Sequence, residues 1–226
     1  MKVSWRTEWP LWVVLAGMFA LAAITWPHAP DRIPVHWGLN GEVNGYGGKF
    51  EGLLLLPLLA AGSYLLFLVL PNFDPGRANY AQFAGAYTLL RFAIVLVLAL
   101  VDGVILLWIG GHRLSVATFI PMLVGGLFLV MGSVLGKIRP NWFVGIRTPW
   151  TLSSKLAWTK THRLGGWVFM LAGLLFLAAG ILRSAPTFIV AITVTAAGVL
   201  GTLIYSYVVW RGDPDRVPPA GTLPGE

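Results

Sequence analysis

Six long stretches of this chain are almost free of charge, and they decide what it can become. They run roughly Trp9–Trp26, Gly52–Leu70, Tyr87–Ile109, Val116–Leu135, Gly166–Leu182 and Thr187–Trp210, and the only charged side chains inside them are Arg91 and Asp102. A helix of a water-soluble domain keeps a polar stripe for solvent, and these runs have almost none. Each is long enough to cross the ~30 Å hydrocarbon core of a bilayer. Charged residues make up 11% of the chain and hydrophobic ones 57%, where soluble chains carry about 25% charge. The expected fold is an all-α polytopic membrane protein of six transmembrane helices.

The net charge of +7 follows from orientation in the membrane. Cytoplasmic segments of membrane proteins are enriched in Lys and Arg. With the N-terminus inside, eleven such residues lie on the cytoplasmic side and four on the other, so both termini are expected in the cytoplasm. Arg91, near the inner end of the third span, is expected to snorkel outward. Lys2, Arg6 and Ala20-Leu21-Ala22 mimic a cleavable signal peptide. Trp9 and Trp26 instead bracket this run as the interfacial aromatics of a retained span do. The absence of cysteine excludes disulfides and thiolate metal sites.

The runs divide the chain into helices 1 and 2 (1–70) with an extracytoplasmic loop (27–51), helices 3 and 4 (71–135), a loop at 136–165 with helices 5 and 6 (to 210), and a proline-rich tail (211–226) expected to be disordered. In the outer loop Pro27, Pro30 and Pro34 favour extended chain. Asn40-Gly41 between two short apolar-polar runs predicts a hairpin with a type I′ turn. His36 has no ligand spacing around it, so no metal is expected. Pro57 is expected to kink the second helix. Asp102, in the outer third of the bilayer, requires burial and a partner. Arg91 lies roughly 16 Å away along the helix, so the expected role is a neutral acid bonding two helices, with a proton or ion site as the alternative. Gly132 and Gly136, like Ala197 and Gly201, have the small-xxx-small spacing of closely packed helices.

Between the fourth and fifth runs, GKIRPNWFVGIRTPWTLSSKLAWTKTHRLGG (136–166) carries six of the sixteen Lys and Arg residues, three tryptophans and no acid. Positive-inside bias and interfacial tryptophans account for that composition but not for the local order. Pro140 and Pro149 impose extended geometry before them, and Gly145 supplies freedom beside Arg147. Ser153 or Ser154 can cap a helix on which Lys155, Trp158, Thr159 and His162 share a face. Arg147 can hold a phosphate or carboxylate in a two-pronged grip. Lipid headgroups, a phosphorylated ligand or an acidic protein surface all suit such a segment. Direct nucleic-acid binding does not, because anionic headgroups meet these charges first at about 1 kcal/mol each.

The run NWFVGIRTPWTLSSKLAWTKTHRLGG at 141–166 resembles the defining motif of the SdpI family of bacterial membrane proteins. IPVHWGLNGEVNGYGGK at 33–49 is similar to the domain of unknown function usually found in their N-terminal half. Asn141, Gly145, Arg147, Thr148, Pro149, Trp150, Ser153, Trp158, Thr161, His162, Arg163 and Gly165 match the first pattern; Pro34, His36, Asn40, Gly41, Gly45 and Lys49 match the second. The resemblance implies a multi-pass protein of the bacterial plasma (inner) membrane, non-enzymatic and without cofactor. It further implies immunity to a secreted, membrane-active peptide toxin and signalling by drawing a transcriptional repressor to the membrane. Lys155-Leu156 stands where the family commonly has an acid, which removes a favourable charge from the helix's first turn.

Two other classes fit less well. Proton-coupled transport of a small molecule, through Asp102 and Pro57, lacks the internal repeat many transporters show; simple lipid binding shares the basic loop. For an enzyme, His36, Glu42, His162 and Arg163 form no recognisable nucleophile–base pair, so no catalytic residue is expected.

Overall fold

The structure, a computed structural model, describes residues 4–217. Among them six helices are long and apolar enough to cross a membrane. Helix α1 (Trp5–Thr25) leads to an antiparallel hairpin, β1 (Ile33–Trp37) and β2 (Val43–Gly47), then to short α2 (Lys49–Leu53) and to α3 (Leu55–Phe73). A 3-10 segment (Arg77–Phe83) runs into α4 (Ala84–Ile109), followed by α5 (Val116–Leu135), one-turn α6 (Pro149–Leu152), α7 (Lys155–Leu182) and α8 (Ala185–Arg211). Successive spans reverse direction. The hairpin therefore shares one end of the bundle with the α4–α5 and α7–α8 corners, and the basic loop occupies the other. Ile24, Ile181 and Ile204 are each about two-thirds exposed (69%, 67% and 66%), the lipid-facing surface of a chain whose backbone is satisfied within helices.

Several spans extend beyond their charge-free runs at the loop end. The Ser4 side chain caps α1 by accepting from Arg6 N–H, and that of Ser154 caps α7 by accepting from Ala157 N–H. The helices thereby absorb polar residues that hydropathy leaves outside. Pro57 acts as expected. It has no N–H to offer the Leu53 carbonyl, and the helix is interrupted at Leu54, between α2 and α3.

The spans form two halves. In the first, α1, α3 and α4 pack around Leu11, Met18, Ala60, Tyr64 and Val95. In the second, α7 lies between α5 and α8. At the loop end Tyr80, Phe83 and Tyr87 meet Leu135, Ile138 and Trp158 and join the halves. Helices α5 and α7 touch through glycines at heptad spacing. A Cβ on Gly132 would stand 2.7 Å from the Gly166 carbonyl oxygen, and one on Gly125 2.8 Å from that of Gly173. Gly132 therefore makes the close approach its spacing predicts, whereas Gly136 does not. On α8 the glycine against a neighbour is Gly198, beside Val168, and Gly201 faces open space.

Four expectations are corrected. Arg91 does not snorkel. It is 1% exposed and pairs with Glu8 of α1 at 2.5 Å, because a buried acid of the neighbouring helix lies within its reach. Asp102 is buried, but its Oδ1 has no hydrogen-bond partner among the described residues, so it does not bond two helices in the expected way. The hairpin forms without a type I′ turn. Positive φ occurs at Gly41 (80°) and not at Asn40, whose side chain is held by two bonds to Glu42. Gly41 N–H donates to Gly38 O, and Gly38 N–H to Glu42 O, closing a longer loop. Finally, residues 211–217 are folded against the basic loop rather than free of structure, Val217 N–H donating to Ser153 O at 3.0 Å. The remainder of the expected disordered tail, 218–226, lies outside the described residues.

Candidate functional site

Two Asp-Pro pairs at the loop end organise the basic segment. Asp74 closes a turn on Gly76 N–H (2.6 Å), and its carboxylate also accepts from Tyr80 Oη–H (2.8 Å) and Trp142 N–H (3.0 Å). Asp213 closes a similar turn on Asp215 N–H and accepts from Ser154 Oγ–H at 2.5 Å. Both carboxylates are buried. Hydrogen bonds to a charged acceptor contribute about 1.5–3 kcal/mol each, so the two acids clamp opposite ends of the loop. Asn79 adds a bond to Pro140 O.

Between the clamps the motif residues hold one another. The Asn141 carboxamide accepts from Phe143 and Val144 N–H and donates to Arg139 and Val144 O, which satisfies a bend with little other secondary structure. Gly145 has φ 114°, in the region open to glycine. A Cβ there would also collide with His162 Nε2. His162 Nδ1 donates to Trp158 O (2.8 Å), Nε2 accepts from Ile146 N–H (3.0 Å), and the ring stacks on Trp158. Trp158 Nε1 in turn donates to Ile138 O. Thr148 and Thr151 cap α6 reciprocally, with Pro149 in its first turn, and Thr148 Oγ1 reaches Ser206 of α8 at 3.1 Å. Trp150 packs on Tyr207, and Ser153 ends α6.

The expected α7 face therefore divides. Trp158 and His162 turn inward beside Ala157, Thr161 and Gly165, while Lys155 and Thr159 stay exposed. With both ring nitrogens committed to backbone partners, His162 is a fixed strut of the loop. What the framework displays is charge. Lys137, Arg139, Arg147, Lys155, Lys160 and Arg163 are all exposed, and none forms a salt bridge among the described residues. Arg147 donates to the backbone carbonyl of Trp142, whose side chain is 55% exposed. Leu152 and Leu156 are exposed on the same face.

At the other end, Pro34 is buried and pairs with Tyr46. The His36 ring bonds Asn44 Oδ1, Gly45 lies against His36 where a Cβ would not fit, and Lys49 donates to Trp26 O. The hairpin matches are thus chiefly structural, as Asn141, Gly145, Trp158 and His162 are in the loop. Sequence reading missed Glu8, Asp74 and Asp213. The repeated Asp-Pro at 74–75 and 213–214, each just past a span, was the available signal for two of them.

Residues 137–206 match the SdpI/YfhL protein family, and residues 13–61 match a domain of unknown function, DUF1648. The two segments are the loop with α6, α7 and most of α8, and the hairpin with α2 and parts of α1 and α3. The chain is 22% identical over 161 residues to Immunity protein SdpI of Bacillus subtilis (strain 168), covering 71% of this chain and 75% of that protein. No solved structure matches. The resemblance carried by the two motifs is borne out.

Proposed function

We propose that this SdpI-like multi-pass membrane protein protects the plasma membrane of its cell against a membrane-active peptide and signals through its basic loop, which faces the cytoplasm. The observation that carries the reading is the loop's construction. A buried hydrogen-bond network fixes Asn141, Thr148, Trp158 and His162, and six exposed cations, none in a salt bridge among the described residues, surround it with exposed Trp142, Leu152 and Leu156. Such a surface rests on anionic headgroups and leaves Arg147 and Arg163 available to an acidic partner, the repressor of the signalling arm. The work is recognition rather than catalysis. Deleting the gene is expected to sensitise cells to the cognate peptide, and Arg147→Ala chains should insert in normal amounts yet fail to protect or to signal. Survival of the deletion strain against every peptide encoded beside the gene would remove the reading.

One observation favours a second reading, proton-coupled transport: the Oδ1 of buried Asp102 has no hydrogen-bond partner among the described residues. An intramembrane acid without a bond is a functional candidate. Flux in liposomes abolished by Asp102→Asn is the expected sign of it, and an unchanged flux would dismiss it.

A further inference from the structure

The hairpin does more than join two helices. Although it belongs to the first half of the bundle, its tip reaches the second, where a Cβ on Gly41 would meet that of Ala117 at 3.4 Å. Beneath it, at the seam between the halves, lies a cavity of about 300 Å³. Its apolar wall includes Trp37, Val101, Ile120, Pro121 and Phe188. Its cationic side chain is Arg183, exposed at the α7–α8 corner with φ 51°, and no acid lines it among the described residues. An interdomain apolar pocket with a few polar groups is the usual form of a binding site, and this volume is near the lower end of the ~300–1,000 Å³ range. It has room for one or two large apolar side chains.

The fourth wall indicates what kind of molecule enters. All five consecutive residues 35–39 line the cavity. Val35, His36 and Trp37 belong to β1, and Gly38 and Leu39 to the turn beyond it. Side chains of a strand alternate between faces, so three consecutive strand residues in one wall bring the strand's edge to it. In a two-stranded sheet one edge of β1 pairs with β2 and the other presents unpaired main-chain groups. An extended peptide uses such groups by adding a strand, and specificity comes from pockets for its side chains. A lipid acyl chain makes no use of them.

We propose that this cavity takes an extended apolar peptide segment bearing an acidic group. The segment pairs along the open edge of β1, sinks one apolar side chain between Trp37, Ile120 and Phe188, and brings its carboxylate to Arg183. The proposal rests on the immunity reading above and names the chemistry by which the peptide is recognised.

The test uses the full chain in phosphatidylcholine nanodiscs, with a fluorescein-labelled Leu-Phe-Val-Phe-Glu peptide, its counterpart ending in amidated Lys, and a fluorescent phosphatidylglycerol. Saturable binding of the Glu peptide is expected. Arg183→Glu should weaken it about tenfold or more and shift preference to the Lys peptide, and Ile120→Trp should abolish binding of both. Melting curves identify an Ile120→Trp chain that has not folded, in which case Arg183→Glu decides. Peptide binding indifferent to both folded variants, no saturable binding of either peptide, or saturable binding of the lipid alone that Ile120→Trp removes, would each overturn the proposal. Cells separate it from the reading beneath it. Full protection by an Ile120→Trp chain removes the cavity and leaves immunity standing, whereas an unsensitised deletion strain removes immunity whatever the nanodisc shows.

Discussion

Replacing Glu8 by alanine is expected to destabilise the bundle by about 3–5 kcal/mol, the usual result of removing one partner from a buried ion pair. Glu8 and Arg91 are each 1% exposed, and α1 is tied to α4 there. The Arg91 guanidinium stands 6.0 Å from the Tyr64 ring, and Tyr64 Oη accepts from Trp12 Nε1. Alanine would leave a guanidinium in an apolar setting with no carboxylate. The pair itself is imperfectly satisfied: Glu8 Oε2 and Arg91 Nε and Nη1 have no partner among the described residues. Replacing both residues by apolar ones of similar size should therefore recover most of the loss. Reversible unfolding of Glu8→Ala, Arg91→Met and Glu8→Leu/Arg91→Met chains in mixed micelles measures this. If the two single variants melt with the wild type, the pair does not hold α1 in place.

That pair also shows where the sequence stops being legible. Charge-free runs locate spans because the bilayer imposes one rule on every residue within them. Glu8 escapes because it lies one residue before such a run, in what reads as a polar N-terminal segment. Its importance depends on α4, eighty-three positions away. Asp74 and Asp213 escape in the same way. Their turns are local and readable from Asp-Pro, but the second oxygen of each is spent on Trp142 N–H or Ser154 Oγ–H across the fold.

The loop motif was legible as a pattern of residue types and much less as a division of labour. Trp158 and His162 look like a ligand-facing pair beside Lys155 by helical spacing alone. Burial assigns them to the framework, because each polar atom of the two rings finds a backbone partner within the loop. Gly145 could be read from either side: a turn that needs positive φ, and a surface that admits the His162 ring. The exposed cations need no such decoding, since Lys and Arg without acidic neighbours stay in solvent or at headgroups.

Gly173→Leu is expected to prevent accumulation of folded protein, and Gly173→Ala to destabilise it by about 1–3 kcal/mol. The added Cβ would lie 2.8 Å from the Gly125 carbonyl oxygen, a backbone atom of α5 that cannot rotate aside, so the helices must separate. Gly166 and Gly180 meet α5 in the same way seven residues to either side, at 3.0 Å from Gly132 O and 2.7 Å from Thr118 O. A shift at Gly173 therefore loosens the contact along its length. The control is Gly201→Ala, where nothing lies within 4 Å and helix propensity favours alanine by up to about 1 kcal/mol. Equal yields and melting temperatures for the alanine variants at positions 173 and 201 would show that the close contact does not govern stability. The effect should reach function as well as folding. One end of α7 carries Trp158 and His162 of the basic loop, and the other carries Ala179 and leads to Arg183 at the hairpin cavity. If the proposed immunity role holds, protection by a Gly173→Ala chain that still folds is expected to fall further than the amount of protein in the membrane.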